Sequence, residues 1–248
     1  MAIIIKNDSQ IALMRHAGFI CARTHELLRK HIKAGVTTAE LDRIAHEFIL
    51  SQDAKPSFLG YNGYPAAICI SINNEVIHGI PGMRRLKSGD IVSIDIGVCY
   101  KFFHGDAART FAVGEISAEH RKLIDTTEHS FFEGMEYAKA GLFLHDISAA
   151  VGEYATSHGF GVVESWCGHG IGRKLHEDPQ IPNSRQARRG PRLAPGMTLA
   201  IEPMINMGTG DTVMLDDNWT VVTKDGGYSA HYENTIVITD GEPEILTL

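Results

Sequence analysis

The sequence lacks any long hydrophobic run. Near the start only a short apolar run, Met1 to Ile5, stands before Lys6. No later run approaches the roughly 20 residues that a membrane-spanning helix needs. This run is also too short for the apolar region of a signal peptide. We therefore expect neither a membrane anchor nor a secretory leader, and no membrane partner.

Cysteine is scarce as well. The four cysteines are Cys21, Cys69, Cys99 and Cys167, and no two of them form a C-x-x-C pair. Such wide spacing argues against a disulfide framework and favours reduced thiols in the cytoplasm. We therefore expect a cytoplasmic protein.

Basic residues are not in excess. Lys and Arg number 23 against 30 Asp and Glu, which gives a formal net charge of −7. This balance argues against a protein that is held to nucleic acid by bulk charge. A local basic patch remains at Arg185 to Arg192. With 44% apolar and 21% charged residues, the 248-residue chain has the composition of a folded globular protein rather than a disordered one.

The periodicity of the apolar residues predicts two successive runs of helices followed by strands. Helical patterns cover about 9–31, the segment that follows the capping pattern Thr37 to Glu40, about 117–139 and about 145–158. Strand patterns cover 66–99 after the first two helices, and then regions near 161–166, 197–205, 219–223 and 229–239. This order predicts an α+β protein.

The second run resembles the first in sequence. Ala34-Gly35 recurs as Ala140-Gly141, and "LKSGDIVSIDIG" (86–97) aligns with "LAPGMTLAIEPM" (193–204). The two alignments have almost the same offset along the chain, and the second places Asp95 on Glu202. Chance is the alternative, because short helix and strand patterns align easily in α/β chains.

Two acidic residues lie in the first strand region. Asp95 is central in the apolar run "IVSIDIG" (91–97), where an unpaired carboxylate would be costly to desolvate. Asp106 follows eleven residues later, and a hairpin centred between Tyr100 and Lys101 would place the two carboxylates opposite each other. Like charges at that distance require a metal ion or a shared proton.

Two further acidic residues lie in the second strand region. Glu202 precedes a proline, which favours extended backbone and ends strand pairing on that side. Glu233 lies in "SAHYENTIVIT", where strand alternation would place His231, Glu233 and Thr235 on one face. Each acid taken alone is also consistent with a surface position or a salt bridge to Arg.

A glycine-rich loop adds histidines to this set. In "CGHGIGRKLHE" (167–177) the glycines would let the backbone bring His169 close to the acids and carry His176 to the rim of the same cavity. Four carboxylates and an imidazole suit divalent Mn, Fe(II) or Co, with Zn as an alternative, and metal-assisted hydrolysis. His78 in "EVIHGIP" could supply another proton donor. For His78 and His176 the alternative is an imidazole merely satisfied by backbone.

A competing motif is His104-Gly105-Asp106, because H-x-D with a distant histidine is the facial triad of non-haem Fe(II) oxygenases. That interpretation leaves Asp95, Glu202 and Glu233 without a role. Such oxygenases are usually built on β-rich scaffolds, whereas this chain has helical patterns in both halves. The hydrolase interpretation therefore explains more of the sequence.

At these residues the sequence resembles the methionine aminopeptidases of the short bacterial type, which belong to the pita-bread metallopeptidases. The resemblance extends from end to end and rests on "GYNGYPAAICISINNEVIHGIP" (60–81), "SIDIG" (93–97), "FHGDAARTF" (103–111), "GHGIGRKLHE" (168–177), "IEPMI" (201–205) and "TKDGGYSAHYENTIVIT" (223–239). The sequence departs from the family pattern at Phe58, where a small residue is frequent, and at Leu175, where phenylalanine is frequent. Residues 100–103 also lack the usual Asp-Gly turn.

The resemblance implies an α+β fold of the pita-bread (creatinase/aminopeptidase) type, in which an antiparallel curved sheet with a pseudo-twofold is covered by helices. Residues 1–248 would form a single catalytic domain with pseudo-symmetric halves at about 1–115 and 116–248. The repeat that places Asp95 on Glu202 fits this arrangement.

The resemblance also implies roles for individual residues. Two divalent ions would be held by Asp95, Asp106, His169, Glu202 and Glu233, with Asp95 on one ion, His169 and Glu202 on the other, and Asp106 and Glu233 bridging both. Glu202 would act as general base toward a metal-activated hydroxide, His176 would stabilise the oxyanion, and His78 would bond near the scissile amide. The methionine pocket would be lined by Phe58, Tyr61, Tyr64, Cys69, Leu175 and Trp219.

The implied activity is removal of the initiator methionine from nascent proteins when the second residue is small. The partners would be peptide and nascent-protein N-termini that begin with Met, reached by a monomer without binding nucleic acid; a transient ribosome contact stays open. One rival is an Xaa-Pro aminopeptidase or dipeptidase of the same fold, although those usually carry a large extra domain. The other is a metal-free peptide-binding pseudoenzyme.

Overall fold

A computed structural model of the chain describes residues 2–248, and its four α-helices agree with the predicted ones to within a few residues. They are α1 (Asp8–Arg29), α2 (Thr38–Ser51), α3 (Ala118–Met135) and α4 (Leu144–Ser157). Polar caps explain three of the starts. The side chains of Asn7, Thr37 and Ser117 each accept a hydrogen bond from the backbone N–H three residues on, which satisfies an otherwise unpaired donor.

The strands are mostly short and all pairings between them are antiparallel. They are β1 (Lys55–Pro56), β2 (Cys69–Ile72), β3 (Glu75–Ile77), β4 (Ile91–Tyr100), β5 (Phe103–Ala112), β6 (Gly161–Val162), β7 (Gly168–Gly170), β8 (Glu177–Ile181), β9 (Thr198–Ile201), β10 (Met204–Asn206), β11 (Thr212–Met214), β12 (Val221–Thr223), β13 (Ser229–His231), β14 (Asn234–Val237) and β15 (Glu244–Ile245). A 3₁₀ turn covers Tyr61–Gly63. The strands form separate sheets. One has the order β1-β4-β2 with β5 also paired to β4, and another has the order β15-β14-β9-β7-β8. Two smaller sheets have the orders β13-β10-β6 and β11-β12-β3.

The long hairpin β4–β5 shows that the predicted register was wrong by two residues. Tyr100 pairs with Phe103, so the turn is Lys101-Phe102 and Asp106 lies opposite Gly97 rather than Asp95. Both turn residues have positive φ, 45° and 69°, the conformation of the tight turn whose twist matches that of paired strands. Because the error is two residues, Asp95 and Asp106 still project from the same face of the sheet.

The two large sheets meet along β5 and the segment that joins β13 to β14. Ala108 and Glu233 exchange backbone hydrogen bonds, with N···O distances of 3.3 and 3.0 Å. On either side, the Thr235 hydroxyl bonds to both backbone groups of Asp106, and the Thr110 hydroxyl bonds to both backbone groups of His231. This junction holds acidic residues from both sheets in one place.

Helices cover the outer side of each sheet, and each helix pair has its own apolar core. Side chains from α1 and α2 pack on β2 and β4, with Ile20, Leu41, Ile70 and Ile94 among the fully buried ones. Side chains from α3 and α4 pack on β9 and β14, with Phe131, Ile147, Leu199 and Ile236 among the buried ones. Within residues 2–248, none of the helices combines the length and apolarity required to cross a bilayer.

Candidate metal centre

A cavity of about 450 Å³ opens where the two sheets meet. Every residue that the hydrolase interpretation proposes as a ligand, catalytic group or pocket residue lines it. These are Phe58, Tyr61, Tyr64, Cys69, His78, Asp95, Asp106, His169, Leu175, His176, Glu202, Trp219 and Glu233. The structure adds Asn62, Ile77, Ser165, Trp166, Cys167 and Gln180 to the lining. Several of these flank residues already singled out, so adjacency to the glycine-rich loop could have identified Trp166 and Cys167.

The hairpin β4–β5 presents Asp95 and Asp106 to this cavity. Asp95 pairs with Cys69 of β2 and with Ala108 of β5, and Asp106 is only 3% exposed. The position opposite Asp106 is Gly97, where a Cβ would lie 2.6 Å from the Phe58 ring. Glycine at this position therefore lets Phe58 close the cavity beside the acids.

The glycines around His169 are required by close backbone approach. A Cβ at Gly168 would lie 2.3 Å from the Ala200 carbonyl oxygen, and one at Gly170 would lie 2.1 Å from that of Asp178. His169 can therefore sit on a narrow strand between β8 and β9. Its Nδ1 donates to the Gly170 carbonyl at 2.9 Å, so Nε2 is the unprotonated nitrogen and has a free lone pair. Nε2 lies 3.7 Å from Glu202 Oε1. Burial, followed by the nearby His176, lowers the pKa of His169 to about 3.

Glu202 and Glu233 both lie at breaks in strands. Strand β9 ends at Ile201 and β10 begins after Pro203, as the proline predicts. The single strand predicted over 229–239 is interrupted between β13 and β14, and Glu233 lies in that gap because its backbone pairs with Ala108 of the other sheet. His231 also faces Glu202, with Nε2 3.6 Å from Oε2. No signal in the sequence marked His231 as a neighbour of Glu202.

Four carboxyl groups share this small volume. Desolvation by burial raises the pKa of Asp95 to about 7 and that of Glu202 to about 8. Burial, reinforced by the neighbouring acids, raises the pKa values of Asp106 and Glu233 well above their usual range. Oxygens Asp95 Oδ1, Asp106 Oδ1 and Glu233 Oε1 are buried without a hydrogen-bond partner.

These features fit a divalent metal site. Ligand atoms of Asp106, His169 and Glu233 lie within 4.8 Å of one another, and so do those of Glu202, His231 and Glu233. A divalent cation would satisfy the unpartnered oxygens and relieve the repulsion between the acids. Carboxylates with a neutral imidazole form a predominantly hard donor set, which suits divalent first-row metals.

Two more histidines face the same space. The His176 ring lies 4.2 Å from that of His169, and its Nδ1 is 2.7 Å from the Tyr61 hydroxyl. His78 has a φ of 61°, unusual for a residue with a Cβ, and its ring meets Trp166 edge-on at 5.3 Å. Burial is the main cause that lowers both pKa values, that of His78 to about 4. Both imidazoles are therefore neutral near pH 7.

Comparisons with known proteins agree with this centre. The model of metallopeptidase family M24 matches residues 12–240. The chain belongs to metallopeptidase family M24. A relative from Clostridium perfringens, a methionine aminopeptidase, is 58% identical over 246 residues, covering 99% of each chain. The crystal structure of methionine aminopeptidase from Rickettsia prowazekii superposes with a TM-score of 0.98 at 41% identity and covers 100% of both chains.

A more distant solved structure bears on the rival interpretation. The Xaa-Pro dipeptidase from Bacillus anthracis is 26% identical with a TM-score of 0.79, and the match covers 98% of this chain but 61% of that one. The pita-bread fold predicted from the sequence is therefore confirmed, and the dipeptidase is the longer protein. The likeness to the methionine aminopeptidases is closer in both sequence and length.

The apolar part of the M24 cavity is built from residues on several elements. Phe58, Tyr64, Cys69 and Leu175 form one buried cluster, and Trp219 packs against it. Tyr64 donates its hydroxyl to the Gly79 carbonyl at 2.9 Å and meets the Trp219 ring edge-on at 5.0 Å. The result is an apolar slot beside the metal centre whose walls are held in place by hydrogen bonds and ring contacts.

The competing facial triad is not assembled. His104 turns its Nδ1 to the Ser57 hydroxyl at 2.8 Å. Among residues 2–248, the groups of His, Cys, Asp and Glu that could hold an ion do not include His104. Asp106 instead joins His169 and Glu233, which belong to the other half of the chain. The geometry therefore favours the hydrolase interpretation.

Proposed function

We propose that this M24 protein is a metal-dependent methionyl aminopeptidase that removes the N-terminal methionine from nascent proteins when the second residue is small. The observation that carries the proposal is the cavity in which two buried carboxyls, two half-buried carboxyls and His169 face two further histidines and an apolar slot. The methionine aminopeptidases to which the chain is similar over 99% or more of its length support the same activity.

The proposed ligands are the four acids and His169. Asp95 would bind one divalent ion and His169 and Glu202 the other, with Asp106 and Glu233 bridging both, and Mn, Fe(II), Co and Zn are the candidate metals. The unpartnered oxygens on Asp95, Asp106 and Glu233 support this assignment. When bound, such ions polarise a carbonyl and lower the pKa of water.

Glu202 is the proposed general base. Its carboxyl lies between two imidazoles, with Oε1 3.7 Å from His169 Nε2 and Oε2 3.6 Å from His231 Nε2. Without a bound metal, burial raises the pKa of this carboxyl to about 8. A carboxylate at this position would accept a proton from the attacking water and return it to the leaving amine.

His176 and His78 are the proposed hydrogen-bond donors to substrate. The Tyr61 hydroxyl lies 2.7 Å from Nδ1 of His176. We assign the hydroxyl as the donor, which places the imidazole proton on Nε2. That N–H would donate to the scissile carbonyl oxygen as negative charge develops there. His78, whose ring meets that of Trp166 edge-on, would bond near the scissile amide.

The proposed methionine pocket is the apolar slot lined by Phe58, Tyr61, Tyr64, Cys69, Leu175 and Trp219. A flexible thioether side chain gains from contact with aromatic rings and from leaving water. Phe58 is 8% exposed and Leu175 2%, so both present their side chains to the interior. A buried aromatic wall favours an unbranched apolar side chain over a charged one.

We also propose that the enzyme acts as a monomer in the cytoplasm on peptide and nascent-protein N-termini, without binding nucleic acid and with at most a transient ribosome contact. The four cysteines are free thiols, which favours a reducing compartment. Sedimentation equilibrium tests the monomer, and co-sedimentation with purified ribosomes at several salt concentrations tests the contact.

The activity is tested by methionine release from Met-Ala-Ser before and after addition of Mn, Fe(II), Co or Zn to chelated protein. We expect each active metal to restore cleavage and the His169→Ala variant to lose it. Met-Leu-Ser in place of Met-Ala-Ser tests the requirement for a small second residue. Calorimetric titration of the chelated protein with the same metals gives the number of ions bound.

The rivals give different outcomes in the same assay. An Xaa-Pro peptidase would cleave Ala-Pro or Met-Pro peptides in preference to Met-Ala-Ser. A metal-free binding protein would show neither cleavage nor heat of metal binding. Either pattern would overturn the proposed activity, whereas cleavage restored by metal and lost in His169→Ala would establish it.

A further inference from the structure

The segment before helix α1 packs against the loop that carries His176. There the Lys6 ammonium lies 2.6 Å from Glu177 Oε2, and both side chains are only 3% exposed. The ammonium also donates to the Ile4 carbonyl at 3.0 Å. A Lys–Glu pair removed from water is held in a defined geometry far more firmly than an exposed one.

Two glycines make room for this segment. A Cβ at Gly172 would lie 2.4 Å from Lys6 Cε and 2.7 Å from Glu177 Oε1. A Cβ at Gly196 would lie 2.6 Å from the Lys6 carbonyl oxygen, and the Lys6 backbone N–H donates to the Gly196 carbonyl at 2.8 Å. The loop and the N-terminal segment are therefore fitted to each other at contact distance.

The ion pair is connected to the whole turn between His169 and His176. Glu177 directly follows His176, and its second oxygen accepts a hydrogen bond from the Lys174 N–H at 3.1 Å. The Lys174 carbonyl accepts from the Gly172 N–H at 3.1 Å, and the Gly172 carbonyl accepts from the N–H of His104 on β5. The ammonium of Lys6 thus fixes the carboxylate that closes this turn.

We propose that Lys6 is a positioning residue for catalysis, acting through Glu177 to hold His176 against Tyr61 and aimed at the substrate. The inference rests on the proposed role of His176. Neither Lys6 nor Glu177 lines the cavity, so their effect on the reaction passes through the backbone of the turn. An apolar contact could stabilise the fold here equally well, but it would not fix the direction of the turn.

The test compares Lys6→Met with Arg15→Met in the metal-loaded enzyme. Arg15 belongs to the same N-terminal region, but its pair with Glu244 is exposed, with 50% and 40% of the two side chains accessible. We expect Lys6→Met to lower kcat for Met-Ala-Ser about tenfold with KM and metal affinity unchanged, because misplacement of a catalytic group acts on the transition state. Arg15→Met should leave all three values unchanged, and Lys6→Arg should recover most of the rate.

A double-mutant cycle with His176→Ala distinguishes positioning from general loosening. If Lys6 acts through His176, Lys6→Met will change kcat by less than about twofold in the His176→Ala background. An undiminished tenfold loss in that background would overturn the proposal, as would an unchanged kcat in Lys6→Met alone. Failure of the proposed function is a separate result, because the wild type and Arg15→Met would then not release methionine.

Glu177→Gln keeps the size of the side chain and removes its charge, so it tests the same pair should Lys6→Met fail to fold. We expect it to show the same loss of kcat and the same dependence on His176. If both variants are unfolded by circular dichroism while His176→Ala is folded, the pair has a folding role and the positioning proposal is overturned.

Discussion

Helices α2 and α4 are both 14 residues long and begin at Thr38 and Leu144, at matching places in the two halves of the chain. The turns that lead into them also correspond. Gly35 and Gly141 have φ values of 92° and 88°, and their N–H groups donate to the carbonyls of Leu86 and Leu193. The guanidinium groups of Arg85 and Arg192 donate back to the two glycine carbonyls. The two halves therefore share the backbone plan behind their sheets.

The same correspondence holds at the junction of the sheets. Ala108 and Glu233 exchange equivalent backbone bonds, and each of Thr110 and Thr235 bonds to the backbone across the junction. The equivalent positions are Asp95 and Glu202, Asp106 and His231, and Ala108 and Glu233. We propose on this basis that residues 1–248 form one domain with halves at about 1–115 and 116–248.

The difference between the halves lies in side chains and in strand continuity. The first half provides a continuous hairpin of ten residue pairs that carries two aspartates. In the second half the strands are interrupted at Glu202 and at Glu233, and both interruptions coincide with proposed ligands. Equivalent positions thus carry different side chains, because an alanine in one half matches a glutamate in the other, and an aspartate matches a histidine.

The largest effect is expected when the side chains at the junction are made the same in both halves. Glu233→Ala would place alanine at both equivalent positions. We expect metal affinity and kcat each to fall by more than about 100-fold, because the substitution removes a proposed bridging ligand. In metal-free protein the same change should raise Tm, since it removes a buried carboxyl that lacks a partner for Oε1.

Calorimetric titration and thermal unfolding with a chelator measure the two effects. The matched control is Glu164→Ala, which removes an exposed acid of the same half and should change neither value. A chelated Glu233→Ala protein with a lowered Tm would contradict the idea that the four acids repel one another in the absence of metal.

Asp95 and Glu202 occupy equivalent positions in the two halves. Each should make the stability of the metal-free protein depend on pH, up to a different pH value. Burial raises their folded-state pKa values from 3.8 and 4.5 to about 7 and about 8. The folded state then binds more protons than the unfolded state, so each group contributes stability below pH 4 that is lost as the pH rises through its folded pKa. The loss amounts to about 1 kcal/mol per pH unit for each group.

The measurement is the free energy of unfolding of chelated protein between pH 5 and 9, for the wild type, Asp95→Asn and Glu202→Gln. The wild type should lose stability relative to Asp95→Asn up to about pH 7 and relative to Glu202→Gln up to about pH 8. Buried histidines such as His169 and His231 contribute with the opposite sign, but they are common to all three proteins. Parallel curves for all three would refute the raised pKa values.

The tip of the β4–β5 hairpin belongs to the first half of the chain. Substitutions there can stabilise the protein without changing the second half. Lys101 and Phe102 occupy left-handed conformations that cost side-chain-bearing residues about 1–2 kcal/mol each, and Phe102 is 77% exposed. Replacing the pair by Asn-Gly should raise the free energy of unfolding by about 1.5 kcal/mol, allowing for the lost contact between Lys101 and the Tyr100 ring. Urea unfolding measures this, and an unchanged kcat shows that the ligands have not moved.

The sequence predicted the helices well because their signals are local. Thr37 and Ser117 are good N-caps followed by apolar residues at helical spacing, and both helices begin one residue later. The register of the β4–β5 hairpin was not predictable in the same way. Lys101-Phe102 carries no turn signal, and the long pairing of the flanking strands imposes the positive φ values.

The proposed ligands were identifiable because unpaired acids in apolar strands conflict with burial unless a cation is present. What lay beyond the sequence was any contact that depends on the tertiary arrangement of distant segments. His231 lies beside Glu202 because the ends of two separate strands, β13 and β9, come together in the fold. The ion pair of Lys6 with Glu177 joins residues separated by 171 positions. Neither pairing leaves a local pattern in the chain.

The smallest effect that we predict tests whether the two halves are equivalent in energy as well as in geometry. Gly35→Ala and Gly141→Ala each place a Cβ at positive φ, and no atom lies closer than 4.0 Å to either added carbon. Each should therefore lower the free energy of unfolding by about 1 kcal/mol through backbone strain alone. Gly82→Ala, where a Cβ also meets open space but φ is not positive, is the matched control and should be close to neutral. Unequal losses at Gly35 and Gly141 would mean that one half unfolds before the other, because strain in a segment that is already open costs nothing.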